Sequence, residues 1–148
     1  MKFKFPLASV LSYRETLERN AEIALGKEIQ ILTKLENEKQ NLLDEYEKLV
    51  VSRGGINTNN AERFMDFVSY AQRLKELIVK KNTEISGQKQ EVAKARAELI
   101  KKTQEKKALE VLRDSQKTAF KLAEKRIEAK QTDEAAGHMF FAAGITSP

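Results

Sequence analysis

Apolar residues recur at intervals of seven along the second half of the chain. Stepping by seven from Phe64 gives Phe64, Ala71, Ile78, Ile85, Val92, Leu99, Lys106, Arg113, Phe120 and Ile127, of which eight are apolar. Stepping from Phe67 gives Phe67, Leu74, Lys81, Gln88, Ala95, Lys102, Leu109, Gln116, Ala123 and Lys130, of which five are apolar. Two such series offset by three residues are the a and d positions of a coiled coil. Glu84, Glu91, Glu98 and Glu105 each precede an a position and so fall at g, while Lys75, Lys89 and Arg96 fall at e. Apolar a and d flanked by charged e and g predict a narrow helix–helix seam over about 61–135.

The first part of the chain carries a less regular version of the same pattern. Leu25, Leu32, Leu35, Leu42, Tyr46 and Leu49 follow three-and-four spacing. Leu7, Val10 or Leu11, Leu17 and Ala21 extend it toward the start, with Arg14 and Glu28 interrupting. This predicts a helix over about 9–51. Between the two segments, Ser52-Arg53-Gly54-Gly55-Ile56-Asn57-Thr58-Asn59-Asn60 is the strong loop signal of the chain, because paired glycines and clustered Asn, Ser and Thr punctuate secondary structure. Asn59 or Asn60 is positioned to cap the following helix by accepting a bond from a free backbone N–H. Glu62 then lies in the first turn, where the helix dipole favours a negative charge.

A short loop makes two successive helices antiparallel neighbours. The expected fold is therefore all-α: one domain over 1–148, with two long helices forming an antiparallel coiled-coil hairpin, a loop at 52–60 and a flexible tail at 136–148. With Val51 opposite Ala61, the numbers of facing residues add to about 112, which sets Gly26 level with Gly87 and Ser9 near Thr103. The two glycines are either tolerated helix residues, each costing ~1 kcal/mol against alanine, or a shared bend or close approach. The second helix, at ~112 Å for about 75 residues, is longer than the first, at ~65 Å for about 43 residues. Beyond Thr103 it overhangs, yet it keeps apolar residues at Leu109, Leu112, Phe120, Leu122 and Ile127. An apolar stripe without an internal partner is expected to dock against another helix or a protein channel.

Composition narrows the reading. Of 148 residues one third are charged, with 6 Gly, 2 Pro, no Cys and one His. So few turn-formers do not build a sandwich or barrel. Without cysteine there is no disulfide, thiolate metal site or thiol nucleophile. His138 has no second histidine to form a dyad or a metal pair. Carboxylates at heptad spacing form a solvated flank rather than a converging metal cluster. No phosphate-binding G-x-x-x-x-G-K-[ST] run is present, and a two-helix rod offers no concave pocket for catalysis. No enzyme activity, cofactor or metal is expected. No apolar stretch reaches the ~18–20 residues of a membrane span, and the opening residues have no signal-peptide cleavage site, so a cytoplasmic protein is expected.

The charge is unevenly placed. Residues 1–53 carry 9 basic and 9 acidic side chains, so the net +5 arises after them. Residues 80–130 hold 15 Lys and Arg against 8 Asp and Glu. The interleaved glutamates and the lack of stacking aromatics favour a solvated face or an acidic protein partner over nucleic acid. The alternative, a basic nucleic-acid-binding coiled coil, would reveal itself by steep salt dependence. Met139-Phe140-Phe141 is a small apolar cluster in the expected tail.

Both ends of the chain resemble a known family. Phe3-Lys4-Phe5-Pro6-Leu7-Ala8-Ser9-Val10-Leu11, followed by Arg14-Glu15 and Glu18, is similar to the F-x-F-x-L-x-x-V-L-x-x-R-E opening of the FliJ family. Leu109-Glu110-Val111-Leu112 and Ala123 to Ala135, with its Asp133-Glu134-x-Ala pattern, resemble the family's closing stretch. The tail Gly137 to Pro148 departs from the family's usual charged ending. The resemblance implies a non-enzymatic, stalk-like antiparallel coiled coil of the flagellar type III export apparatus. Such a stalk inserts into the export ATPase hexamer and promotes its assembly and activity. It also links the hexamer to the cytoplasmic linker of the export-gate membrane protein and handles export chaperones. The implied location is cytoplasmic, peripheral to the inner-membrane export apparatus. The equivalent stalk of a non-flagellar (virulence) type III secretion system is the neighbouring alternative.

The resemblance also places contact residues. The gate-facing positions are Leu42, Tyr46, Leu49, Tyr70, Leu74 and Leu77. Leu42, Leu49 and Leu74 fit the internal seam as well, which leaves Tyr46, Tyr70 and Leu77 as the better contact residues. The ATPase-facing positions are Leu109, Leu112, Phe120, Ile127, Asp133 and Glu134, at the overhanging end.

Overall fold

The structure, a computed structural model, describes residues 2–52 and 60–146, with side chains described through residue 143. It contains two helices, α1 (Ala8–Ser52, 45 residues) and α2 (Ala61–Thr146, 86 residues). No strand occurs among the described residues. The helices pack against each other as the heptad pattern predicts: an all-α, antiparallel coiled-coil hairpin with the second helix longer. The expected loop falls largely on 53–59, outside the described residues. The start of α1 is set by Phe5, whose carbonyl accepts a bond from the Ala8 N–H at 3.1 Å. Asn60 caps α2: its side-chain oxygen accepts the Arg63 backbone N–H at 3.3 Å, and Glu62 stands in the first turn. That bond satisfies a donor the helix itself cannot.

Contacts divide the chain into two compact units, one of Leu17–Lys102 and one of Met1–Thr16 with Thr103–Pro148. In the first unit the α2 seam follows the predicted series without a break from Phe67 onward, leaving out Phe64. Phe67, Ala71, Leu74, Ile78, Lys81, Ile85, Gln88, Val92, Ala95, Leu99 and Lys102 are buried or half-buried, and the residues between them are exposed. The α1 side of this unit is Ala21, Leu25, Glu28, Leu32, Leu35, Leu42, Tyr46 and Leu49, with Glu38 and Lys39 between. Leu74 at 2% exposure, Ile85 and Val92 are the buried core here. Burying such a side chain contributes about 1.5–3 kcal/mol. In the second unit Leu11 is buried, and Leu109, Arg113, Gln116 and Phe120 continue the half-buried series.

Glu28, which interrupts the apolar pattern of α1, stands in the seam rather than outside it. The Gln88 side chain donates to its backbone carbonyl at 2.9 Å and also to its carboxylate. Arg14 behaves the same way in the other unit, pairing with Glu105 at 2.7 Å. These polar seam residues meet a polar partner across the helix pair, which avoids the cost of an unsatisfied group.

These contacts correct the expected register. Facing numbers add to 119 for Arg14–Glu105 and for Glu38–Lys81, and to 116 for Glu28–Gln88, not 112. Ser9 therefore does not pair with Thr103, and Gly26 is not level with Gly87. The difference between 112 and 119 is one heptad. An apolar a/d pattern repeats itself after that shift, so periodicity alone cannot choose between the two alignments. A second correction concerns the end of α2, which continues to Thr146 through the 136–146 stretch expected as a flexible tail.

The glycines resolve to the simpler alternative. A Cβ built on Gly26 or Gly87 meets nothing within 4 Å, so neither marks a close approach. Both lie inside helices, where glycine costs backbone entropy. Gly26→Ala and Gly87→Ala are each expected to raise stability by about 0.5–1 kcal/mol, measured as an increase in urea midpoint at unchanged m-value.

Candidate functional site

The expected gate-facing residues all lie in the unit Leu17–Lys102, where the structure separates them into two groups. Leu74 is buried, and Leu42, Tyr46 and Leu49 are half-buried seam residues. Tyr70 and Leu77 stand outside the seam, at 46% and 41% exposure. Tyr46 thus joins the leucines in the helix–helix contact, and its ring lies 5.8 Å from the Lys75 ammonium, a cation–π distance. A shallow groove is lined by Leu42 and Leu77 together with Glu38, Lys81 and Glu84. Lys81 bridges both acids, at 2.7 Å to Glu38 and 3.0 Å to Glu84. The hydrogen bond from Lys81 holds the Glu38 carboxyl below its ordinary range, and the bond to Glu38 raises Lys81 above its own. One apolar wall beside a fixed charge triad makes an amphipathic surface suited to a helical or extended protein segment.

The signal missed in this unit is the exposed apolar group at its loop-side end. Val50, Val51, Phe64, Met65 and Val68 are all exposed, Val51 by 75%. Phe64 begins the a series, but with α1 shifted by a heptad it stands outside the seam. A correct register would have found it.

The expected ATPase-facing residues lie in the other unit. Leu109 and Phe120 are half-buried, Leu112 and Ile127 are 39% and 58% exposed, and Asp133 and Glu134 are exposed. Phe120 corrects the sequence expectation that it lies beyond internal reach. The Phe3 ring packs against it, centroids 5.7 Å apart and planes tilted by 51°. The contact comes from the segment preceding α1, which helical periodicity does not report. The alternating Phe3, Phe5 and Leu7 of the opening were the available sign. Past Phe120 the predicted seam lapses, since Ala123, Ile127 and Lys130 are exposed. Phe120, Ala123, Ile127 and Gln131 line a shallow, open groove with Glu124 and Glu128. Met139, Phe140 and Phe141 are 69–81% exposed on the continuing helix.

Nothing among the described residues gathers three or more potential metal-ligating side chains. No helix among them is long and apolar enough to cross a membrane. The arrangement leaves an apolar, partly charged groove exposed in each unit.

The sequence pattern of the family described as Flagellar FliJ protein matches residues 3–144. The chain belongs to the FliJ family. No curated protein matches it significantly. FliJ proteins are structural components of flagellar export, and membership makes this chain an export-related coiled-coil protein associated with that apparatus. The match spans both units, including the Phe3–Phe120 contact and the helix beyond it.

Two outcomes follow for this FliJ chain. Phe3→Ala and Phe120→Ala, measured singly and together in a thermal double-mutant cycle, should show coupling of about 0.5–1.5 kcal/mol; additive effects would mean the rings do not interact in solution. For Glu38, the depressed carboxyl contributes stability above its unfolded pKa and loses it as pH falls through the lower folded value. Lys81, raised, contributes below its unfolded pKa and loses its contribution as pH rises through the higher folded value. Glu38→Gln should therefore flatten the acid limb of a melting-temperature-against-pH profile and reduce the alkaline loss attributable to Lys81.

Proposed function

We propose that the chain is a stalk-like coiled coil that inserts its terminal unit into the flagellar export ATPase hexamer, promotes hexamer assembly and activity, and links it to the cytoplasmic linker of the export gate. Handling of export chaperones belongs to the same role, as does a cytoplasmic position at the inner-membrane export apparatus. The observation that carries the reading is the family match over residues 3–144. The exposed apolar positions Leu112, Leu122 and Ile127 on the far part of α2 support it. That helix has the length and amphipathic edge needed to enter a protein channel, and burying those side chains supplies the driving force. Leu109 and Phe120 act at the margin of this surface, and Asp133 and Glu134 add negative charge beyond it.

The gate-facing reading rests on Tyr70 and Leu77, whose side chains are free to touch a partner. Leu42, Tyr46, Leu49 and Leu74 act behind them, holding the two helices together. The flagellar description of the family favours this system over a virulence-type stalk.

Ile127→Glu should abolish stimulation of ATPase turnover by the protein and its co-purification with the hexamer, while circular dichroism stays helical. Leu77→Glu should weaken binding to the gate's cytoplasmic domain without touching ATPase stimulation. Wild-type protein that neither binds nor stimulates the hexamer would overturn the proposal.

A further inference from the structure

The helix alignment in the unit Leu17–Lys102 is one heptad away from the one periodicity suggests, and a/d spacing alone fits either. The polar residues of the seam distinguish the two. Five polar residues are half-buried near the middle of the seam: Glu28, Glu38 and Lys39 on α1, and Lys81 and Gln88 on α2. Their neighbours under displacement can be read from the register. If α1 slides by seven residues, a movement of about 10 Å, each polar group meets a new residue.

Lys81 is indifferent. It pairs with Glu38 now; the slide toward the 112 alignment brings it to Glu28, and the opposite slide brings it to Glu45. Gln88 is not indifferent to the first slide. There its amide loses the Glu28 carboxylate and faces Ala21 and Ala24, whose side chains offer no acceptor, so that only a backbone carbonyl remains to it. Glu28 tolerates that slide, because Lys81 reaches it, but not the opposite one. In the opposite slide it faces Ala95 and approaches Glu98, an apolar surface and a like charge. Gln88 tolerates this second movement, since Glu38 comes within its reach.

We infer that Glu28 and Gln88 form a two-way register lock: Gln88 excludes displacement in one sense, Glu28 excludes it in the other, and their mutual hydrogen bonds mark the alignment both accept. A single polar pair within an apolar seam is a known means of specifying alignment at some cost in stability. Here the two members divide the task. The device fixes which residues of α1 and α2 stand together on the outer faces, so that Leu77 shares a groove with Leu42.

The lock is tested by distance measurement. The chain has no cysteine, so spin labels on cysteines introduced at the exposed positions Glu36 and Gln90 report on this unit alone. The unsubstituted pair should give one distance. Gln88→Leu, adding a residue typical of the seam, should retain helicity and add a population with the labels farther apart along the axis by about 10 Å. Glu28→Leu should add a population with the labels closer. Opposite directions from the two variants are the signature expected of a two-way lock. A single unchanged distance in both variants, or a shift of the same sense in both, would overturn the inference. Circular dichroism of each labelled variant separates a register change from loss of folding, since an unfolded variant gives a broad distance distribution and low ellipticity, and its conservative replacement by Gln88→Asn or Glu28→Asp should then return the single distance.

Discussion

The structure depends on a seam one side chain wide. Two helices meet along a and d positions, and what those positions carry is satisfied by the facing helix or by the next turn of the same one. This explains why polar residues in the seam come with partners: Gln88 with Glu28, Arg14 with Glu105, Lys81 with Glu38 and Glu84. It also explains why leucines that a relative might use for binding are committed elsewhere. Leu42, Leu49 and Leu74 hold the helices together, while Tyr70 and Leu77 in one unit and Leu112 and Ile127 in the other are exposed.

A division of labour along α2 follows from the same constraint. Where α1 accompanies it, the a and d residues turn inward, and the outside is mostly charged with a few exposed apolar residues such as Leu77 and Val79. Where the accompaniment ends, near the Phe3–Phe120 contact, the same kind of sequence presents its apolar groups to solvent. One periodic pattern thus serves internal packing over part of its length and an open surface over the rest. That change of use separates the part of α2 that packs against its own chain from the part whose apolar residues stay open.

Much of this could be read from the residues. The a and d series from Phe67 to Phe120 reappears position for position as the half-buried side of α2, since a seven-residue period allows few alternatives. Asn60 took the cap because its oxygen sits one turn from a free N–H. Register was not legible from apolar spacing, which is unchanged by a heptad shift. Nor was the packing of Phe3, whose segment lies before the first helical turn and has no period to reveal it. The end of α2 was missed because Gly137 and the change in charge pattern suggest a stop, while the Ala-rich run around it has nothing that forbids continuing helix. For the contact residues, sequence and family resemblance named the neighbourhood, but only burial separates Leu74 from Leu77.

A seam this narrow has a thermodynamic corollary. Leu11, Leu74, Ile85 and Val92 are the buried apolar side chains among the described residues, so unfolding uncovers little hydrocarbon for each residue released. The heat-capacity change of unfolding, which scales with apolar exposure, is correspondingly small, and the curve of stability against temperature is shallow rather than domed. Such a protein loses little stability on cooling, and the temperature dependence of any partner binding is governed by the surface a partner covers rather than by its own interior.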